Sequence, residues 1–338
     1  MERIMRTLLV TGANGFIGSH TLNYLQTKKD THLIAACRDR SKLPKDFSGE
    51  VREGDLRDEN YLSNLLDDVD VVMNCMAWSS LWKHRKKSET LYYQPVIRLI
   101  EQYKKSHATR FVNVSTTAAA SPTHSTDAMS AGIQRTFWPH LCNVIKIEDT
   151  LRDIATQEKS VINMRLGIFA GENYSLGVLP ILLPRLKTHL VPWVKGGRTH
   201  LAITDGRDLG QAMGLAALTE NLQGYHAFNV VGNNVPTMRE VIHFLHTQYG
   251  YPEPHFSVPF FAAYSFAWLM EKIDPVVPWE PLIVRSIIHL LEDTHADNKK
   301  ASAVLGYRPE HGWQDAIRLQ LKEMQVRQRK PMKMAKAI

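Results

Sequence analysis

The chain contains little cysteine and no long hydrophobic run. Its 338 residues include three cysteines, Cys37, Cys75 and Cys142, which lie far apart in the sequence. Their number and spacing exclude a disulfide framework and a metal-binding cysteine motif. No stretch reaches the roughly eighteen uninterrupted apolar residues of a membrane-spanning helix. The sequence therefore predicts free thiols in a reducing compartment and no transmembrane segment.

Signals for export and for nucleic-acid binding are also missing. An apolar strand begins within a few residues of the N-terminus, which leaves no room for a signal peptide and predicts a cytoplasmic protein. The formal net charge is +7, part of it in a basic tail between Arg327 and Lys336. Since no recognition motif accompanies this charge, we expect no nucleic-acid partner. A solvated tail is the simplest interpretation, and contact with an anionic membrane surface is the alternative.

What is present is a regular alternation of apolar strands and helices. Strands are predicted at 7–10, 32–37, 51–56, 69–76, 110–115 and 161–166, and helices at 19–26, 60–66, 91–105 and 142–156. The apolar runs lack the two-residue alternation of half-exposed strands, as expected for strands covered on both faces. The pattern predicts an α/β fold, a doubly wound parallel Rossmann sheet with a smaller C-terminal substrate-binding lobe.

The predicted Rossmann domain comprises residues 1–170 and about 200–232. Residues 171–199 and 233–325 form the predicted substrate-binding lobe, and 326–338 the basic tail. Inside the lobe, Thr237 and Glu240 have the spacing of a capping box, which predicts the start of a helix.

A glycine-rich loop follows the first strand and opens the first helix. It reads Thr11-Gly12-Ala13-Asn14-Gly15-Phe16-Ile17-Gly18. Small residues let the backbone approach a pyrophosphate, and the helix N-terminus offers unpaired N–H groups to the anion. The sequence therefore predicts a nucleotide site that includes Gly12, Asn14, Gly15, Phe16, Ile17 and Gly18.

The end of the second strand indicates which dinucleotide binds. An acidic residue there would hold the ribose 2′-hydroxyl of NAD. The chain has Arg38 instead, with Arg40, Ser41 or Lys42 placed to assist. A guanidinium offers phosphate a planar, charge-assisted contact. The predicted cofactor is NADP(H).

Further stretches, in order with the glycine loop, carry a family resemblance. They are residues 54–56, 74–77, 111–116, 164–171, 203–209, 229–232 and 236–238. The chain resembles the extended short-chain dehydrogenase/reductases over nearly its whole length, in the branch of epimerase/dehydratases, dihydroflavonol reductases and 3β-hydroxysteroid dehydrogenases. The resemblance implies cofactor contacts from Asp55 and Leu56 near the adenine, from Ala77 after the fourth strand, and from Arg165 beside the nicotinamide.

The resemblance also implies a catalytic triad, in which this chain departs from the family. Ser115 would polarise the substrate carbonyl, and Lys146 would orient the ribose and lower the pKa of a tyrosine one helical turn before it. That position is Cys142, and no tyrosine lies between Ser115 and Lys146. A thiol has a reference pKa of about 8.5, against about 10 for a phenol, and its side chain is shorter.

Three interpretations of Cys142 are open. In the favoured one, the protein is an NADP(H)-dependent oxidoreductase that reduces a carbonyl or oxidises an alcohol, with Ser115, Cys142 and Lys146 as an atypical triad. In the second, it binds NADP(H) as a sensor or assembly protein and has lost hydride chemistry. In the third, Cys142 is the acid–base group or nucleophile of a non-redox enzyme.

Other side chains near this position can carry a proton. His140 is interpreted first as a structural histidine and second as a proton shuttle. Tyr92 or Tyr93 could reach the site and supply the missing phenol, with aromatic packing as the simpler interpretation.

The second half of the chain is rich in apolar and aromatic residues. Candidate pocket residues are Leu179, Leu182, Trp193, Phe260, Phe261, Tyr264, Phe266, Trp268 and Trp279. Such a lining favours a hydrophobic small molecule over a sugar nucleotide, although the lobe's own core would account for the same residues. The family resemblance suggests a homodimer, and the aromatic segment 260–273 together with the basic tail suggests peripheral membrane contact. No metal site is predicted.

Overall fold

The computed structural model describes residues 5–120, 127–174, 176–277, 281, 283–293 and 295–329. The strands are β1 (Arg6–Thr11), β2 (Thr31–Cys37), β3 (Glu50–Glu53), β4 (Val71–Asn74), β5 (Arg110–Thr116), β6 (Ser160–Leu166), β7 (Ile168–Ala170), β8 (Trp193–Val194), β9 (Ile203–Asp205), β10 (Tyr225–Val230) and β11 (Ser257–Val258). The α-helices are α1 (Phe16–Leu25), α2 (Glu59–Asn64), α3 (Arg85–Ser88), α4 (Gln94–Lys105), α5 (Pro139–Ile154), α6 (Val178–Leu186), α7 (Gly206–Leu218), α8 (Met238–Tyr249), α9 (Phe260–Ile273), α10 (Arg285–His289), α11 (Lys299–Leu305) and α12 (Trp313–Arg329).

The main sheet has seven strands in the order β3-β2-β1-β4-β5-β6-β10. Every pairing in it is parallel. This confirms the predicted α/β fold with a doubly wound parallel sheet. The strand order reverses between β1 and β4, and ligands of open α/β sheets bind in the crevice at the carboxyl ends of such strands.

Helices cover both faces of the sheet, as the continuous apolar strands require. On one face, α1, α7 and α11 pack through residues such as Leu22, Met213 and Leu305. On the other face, α2, α4 and α5 pack through residues such as Leu99 and Leu151. The sheet is therefore buried, and the open surface for a ligand is at the strand ends.

A line of polar side chains runs through this buried sheet at one level. Thr11, Asn74, Asn113 and Asn163 are in register on four adjacent strands. Thr11 donates to Asn74 (3.1 Å), Asn74 to Asn113 (3.0 Å), and Asn113 to Asn163 (2.8 Å). All four side chains are buried, so each hydrogen bond satisfies groups that water cannot reach. The chain of amides fixes the register of the four strands.

The remaining elements form a second apolar core beyond the sheet. Helices α6, α8 and α12 pack around it, and α8 begins with the predicted capping box of Thr237 and Glu240. Leu179, Leu182 and Trp193 belong to this core, so these three candidates pack inside the lobe. Among the described helices, none is both long and apolar enough to cross a membrane. The residue boundaries proposed for the two domains stay a prediction.

Two sequence-based expectations concern the end of the chain and the segment before α10. The basic tail is predicted from residue 326, whereas α12 continues to Arg329. Residues 330–338 and Trp279 lie outside the described residues. The predictions of a basic tail and of a pocket role for Trp279 therefore stay predictions.

We expect Asn113→Leu to lower the free energy of unfolding by about 2–6 kcal/mol. The substitution leaves an unpaired amide on each side, and each buried unsatisfied group costs about 1–3 kcal/mol. Urea denaturation measures the change. Asn64→Leu, the same change on the exposed end of α2, is the matched control and should stay within about 0.5 kcal/mol. Equal effects of the two substitutions would contradict a stabilising role for the amides.

Candidate functional site

The glycine loop forms a tight cradle at the carboxyl end of β1. Gly12 has a positive φ of 60°, and a Cβ added there would lie 2.6 Å from the carbonyl oxygen of Cys75. A Cβ on Gly18 would lie 2.3 Å from the carbonyl oxygen of Gly12. Neither position has room for a side chain, so the loop, the loop after β4 and the first turn of α1 lie in direct contact.

The N-terminus of α1 is free to face an anion. Its N-cap is Gly15, no side chain caps the first turn, and no acidic residue lies in that turn. Uncapped N–H groups and the helix dipole favour a phosphate at this position. The loop thus fits the pyrophosphate of a dinucleotide cofactor.

Three predicted loop residues also hold the cradle in place. The Asn14 amide donates to the Asp39 carbonyl at 3.0 Å and ties the loop to the end of β2. The Phe16 ring stacks on Phe169 with 5.4 Å between ring centroids. Ile17 is only 5% exposed, so its side chain belongs to the core while its backbone stays in the helix N-terminus.

At the end of β2, a cationic side chain is exposed and the neighbouring carboxylate is hydrogen-bonded within its own turn. Arg38 is exposed. The neighbouring Asp39 carboxylate accepts hydrogen bonds from the backbone and hydroxyl of Ser41 and pairs with Lys42 at 2.7 Å. Lys42 and then Ser41 lower the pKa of Asp39 to about 2. Asp39 is therefore engaged within its own turn, whereas the guanidinium of Arg38 faces solvent.

The other predicted cofactor residues lie along the same strand ends. Asp55 pairs with Arg57 at 2.6 Å; Arg57, with a smaller contribution from Arg38, lowers the pKa of Asp55. Leu56 packs into the core beneath the loop after β3. Ala77 is exposed after β4. Asp55 follows β3 and Ala77 follows β4, so both lie beyond the carboxyl ends of their strands. Their contacts with a cofactor stay a prediction.

Ser115 is buried near the end of β5. Its hydroxyl donates to the Glu148 carboxylate at 2.5 Å. Arg165, beside it on β6, donates to the same carboxylate at 2.6 Å and is fully buried. Asn163 donates to Glu148 as well, which joins this cluster to the amide chain. These contacts give Ser115 and Arg165 a shared structural partner, and their predicted roles in catalysis and cofactor binding stay predictions.

Cys142 and Lys146 lie one helical turn apart on α5, as predicted. The Cys142 thiol donates to the Arg135 carbonyl at 3.2 Å and is 9% exposed. Burial raises the pKa of Cys142, although Arg135, Arg85 and Lys146 act in the opposite direction. The sulfur is therefore held as a thiol, a state that disfavours its use as a nucleophile.

A hydroxyl that the sequence reasoning missed lies two residues beyond Ser115. Thr117 is half-buried and opens a short 3₁₀ turn directly after β5. The next residues of that turn, Ala118 and Ala119, pack against Leu141 of α5. Thr117 thus lies beside the turn of α5 that carries Cys142. The run Ser115-Thr116-Thr117 contains the signal, but the sequence does not show which hydroxyl lies beyond the strand.

A π-helical turn places a tyrosine beside Lys146. Residues Glu89–Tyr93 form this turn between α3 and α4. The ammonium of Lys146 lies 5.6 Å from the centre of the Tyr93 ring, and Tyr93 is half-buried. Tyr92 is instead buried, and burial raises its pKa. Of the two tyrosines, Tyr93 is the one whose ring lies close to the ammonium of Lys146.

His140 is packed as a neutral side chain. Its ring nitrogen Nδ1 lies 3.2 Å from the hydroxyl of Ser88, and the rings of Tyr92 and Trp78 contact it edge-on. Burial lowers the pKa of His140 to about 4. The geometry agrees with the structural interpretation, because an imidazole with this pKa holds no proton to give near neutral pH.

A cavity of about 340 Å³ opens between α9 and the loop before α5. Its lining consists of Arg135, Phe137, Phe260, Phe261, Tyr264, Ser265 and Glu292. Three of the predicted aromatic pocket residues are among them. Arg135 also accepts the Cys142 hydrogen bond, which links the cavity wall to the candidate site.

Three possible metal ligands lie together elsewhere in the described chain. Side-chain atoms of His200, Asp293 and His295 are within 4.8 Å of one another. A neighbouring pocket is lined by Lys195 and Arg198 as well as Asp293. Because these cations oppose a bound metal ion, we assign no metal to the cluster.

Comparison with known proteins identifies the family. The model of the NAD dependent epimerase/dehydratase family matches residues 8–231. The chain belongs to this family. Among curated proteins, none matches the sequence.

Solved structures with the same fold cover nearly the whole chain. They include UDP-glucose 4-epimerase from Thermotoga maritima (17% identity, TM-score 0.69, 95% of this chain and 99% of that one), UDP-glucuronic acid 4-epimerase from Bacillus cereus with UDP-glucuronic acid and NAD (18%, 0.67, 95% and 99%), and UDP-glucose-4-epimerase from Stenotrophomonas maltophila with NAD and formylated UDP-arabinopyranose (17%, 0.71, 96% and 99%). At these identities the similarity concerns the fold.

The lowered pKa of His140 makes stability depend on pH. Between the unfolded value near 6.5 and the folded value of about 4, the unfolded chain binds more protons. Stability should therefore fall as the pH drops through this window, by roughly 3 kcal/mol from this residue. His140→Gln should flatten that part of the profile in urea denaturation. His246→Gln, on an exposed histidine of α8, should leave it unchanged; the same slope in all three proteins would contradict the assignment.

Proposed function

We propose that this protein is an NADP(H)-dependent oxidoreductase that reduces a carbonyl, or oxidises an alcohol, on a hydrophobic small molecule. The observation that carries the proposal is the uncapped N-terminus of α1 above a cradle with no room for side chains at Gly12 and Gly18. Family membership and structural relatives that bind NAD support a nicotinamide dinucleotide in this cradle.

The preference for NADP(H) rests on the charges at the end of β2. Arg38 is exposed beside the crevice, and its charge reaches Asp55. Asp39, the nearest acid to the strand end, is engaged by Ser41 and Lys42. A 2′-phosphate would therefore meet a guanidinium, while a 2′-hydroxyl would find the carboxylate already hydrogen-bonded.

The chain's own residues suggest how a proton is handled. The cofactor, when bound, supplies or accepts the hydride. Thr117 would donate a hydrogen bond to the substrate oxygen in place of Ser115. In the reducing direction, the Tyr93 phenol would give its proton to that oxygen, and the ammonium of Lys146 would stabilise the phenolate left behind until it is reprotonated from solvent. Cys142 is the alternative donor, but its thiol would first have to leave its hydrogen bond to the Arg135 carbonyl.

The apolar lining of the cavity supports a hydrophobic substrate. Its wall is largely aromatic, with Arg135 and Glu292 as charged groups. The relatives named above are complexes with UDP-sugars, so a sugar nucleotide is the competing substrate class. A homodimer is proposed from the family resemblance alone.

A second candidate is an NADP(H)-binding sensor or assembly protein without hydride chemistry. Two observations favour it: Ser115 is committed to Glu148, and Cys142 is held as a buried thiol. The oxidoreductase and the sensor both require the same cofactor site, so only the presence or absence of substrate turnover distinguishes them.

Arg38→Ala should weaken NADPH binding about 10- to 100-fold and leave NADH binding nearly unchanged. Loss of one charge-assisted hydrogen bond costs about 1.5–3 kcal/mol, which corresponds to this range. Fluorescence titration of both nucleotides measures it. Lys45→Ala, which removes an exposed cation from the same loop, is the control. Equal affinities of the native protein for NADPH and NADH would contradict NADP(H) specificity, and no binding of either would exclude both candidate functions.

Tyr93→Phe should lower kcat with NADPH and apolar aldehydes or ketones by about 100-fold or more, while Cys142→Ala stays within about tenfold of native. These limits follow from the usual size of general acid–base catalysis. NADPH affinity should not change in either variant, and Tyr92→Phe is the neighbouring control.

The reverse pattern, with Cys142→Ala inactive and Tyr93→Phe active, would identify the Cys142 thiol as the proton donor. A native protein that binds NADPH without turning over any substrate, together with activity created by Cys142→Tyr, would favour the sensor function.

A further inference from the structure

Helix α9 exposes an apolar face. Phe261 is 73% exposed, and Val276, just beyond the helix end, is 86% exposed. The face consists of Phe261, Phe266, Trp268, Leu269, Ile273 and Val276. Single exposed apolar residues are common, but a contiguous face of this kind usually marks an interaction site.

The two acidic residues at the C-terminal end of α9 are buried. Glu271 is 6% exposed and pairs with Arg285 at 2.6 Å. Asp274 is 9% exposed and pairs with Lys83. The exposed charge on the helix is Lys272, whose ammonium lies 5.8 Å from the centre of the Trp268 ring. Among the described residues of this region, the face therefore combines aromatic and aliphatic side chains with the positive charge of Lys272, and its neighbouring carboxylates are buried.

A basic segment adjoins the end of α9. Residues 83–87 read Lys-His-Arg-Lys-Lys, and all five are exposed. The ion pair of Lys83 with Asp274 fixes the segment beside the helix end. Lys83 and His84 have φ values of 53° and 52°, in the left-handed region that costs energy for such residues. Arg85, Lys86 and Lys87 follow this turn as the first residues of α3.

We propose that the α9 face and the basic segment together dock on an anionic lipid bilayer. Aromatic and aliphatic side chains enter the boundary between headgroups and acyl chains, while lysine and arginine side chains contact the headgroups. The charges of the segment match the negative surface of a bilayer that contains acidic phospholipids. A hydrophobic protein partner would not by itself require these cations beside the apolar face.

The docked face would also adjoin the candidate substrate cavity. Phe261 belongs to both, because it lines the cavity and is exposed on the helix. A hydrophobic substrate could therefore reach the cavity from the bilayer. This last step rests on the proposed function, whereas docking itself does not.

Vesicle flotation with the full chain tests the proposal. The protein should bind vesicles of phosphatidylcholine and phosphatidylserine, bind pure phosphatidylcholine at least tenfold more weakly, and be released by high salt. The double substitution Trp268→Ser/Leu269→Ser should reduce binding at least tenfold, and so should Lys86→Glu/Lys87→Glu. Leu190→Ser, at a residue that is 70% exposed in the loop after α6, is the matched control.

Circular dichroism of the same variants reports on folding, and NADPH titration reports on the proposed cofactor site. Neither the spectrum nor the NADPH affinity should change, so a loss of vesicle binding can be assigned to docking. Absence of binding to phosphatidylserine vesicles would overturn the proposal. Vesicle binding that is unchanged in both double variants would also overturn the proposal. So would a dimer in light scattering that becomes a monomer in Trp268→Ser/Leu269→Ser, because the face would then be an interface between copies.

Discussion

The structure depends on one buried chain of hydrogen bonds that crosses four parallel strands. It runs from Thr11 through three asparagines to Glu148, which also accepts from Arg165. A slip of one strand would leave amides and a carboxylate unpaired inside an apolar sheet, at a cost of several kcal/mol. The chain therefore specifies where each strand ends. Because the crevice is built from those ends, the same hydrogen bonds set the positions of the glycine loop and of the loops after β4 and β5.

This constraint changes what the end of β5 can do. Alternate residues of a strand point to the same face, so Ser115 lies on the side of Asn113 and shares its polar partners. The Ser115 hydroxyl gives its one proton to Glu148, so in this arrangement it has none left to donate to a substrate oxygen. Thr117 lies beyond the strand, in a 3₁₀ turn, so the alternation of side chains between the two faces of the sheet does not apply to it. The proposed mechanism therefore uses Thr117, just outside the regular sheet, in place of Ser115.

Local patterns predicted most of the fold, and contacts between distant residues account for what they missed. The strands, the glycine cradle and the capping box at Thr237 follow from short-range rules of periodicity and steric fit. The hydrogen-bond partner of Ser115 is Glu148, 33 residues away in the sequence, and no local sequence pattern predicts this contact. The π-helical turn at Tyr93 adds a residue to a helix without a sequence signal. The apolar run of α9 fits a buried helix or an exposed one, and only its packing shows that one face is uncovered.

The replacement of a phenol by the Cys142 thiol is a loss of reach more than a loss of acidity. The reference thiol is more acidic than a phenol by about 1.5 pKa units, and burial raises the pKa of Cys142 and narrows that gap. What the thiol lacks is length, and its proton is already donated to the Arg135 carbonyl. In the proposed mechanism, the Tyr93 ring on the π-helical turn, 5.6 Å from the Lys146 ammonium, would restore that length from a different element. The ammonium on α5 would then serve a phenol that is not on its own helix, and the Tyr-x-x-x-Lys spacing would not be required.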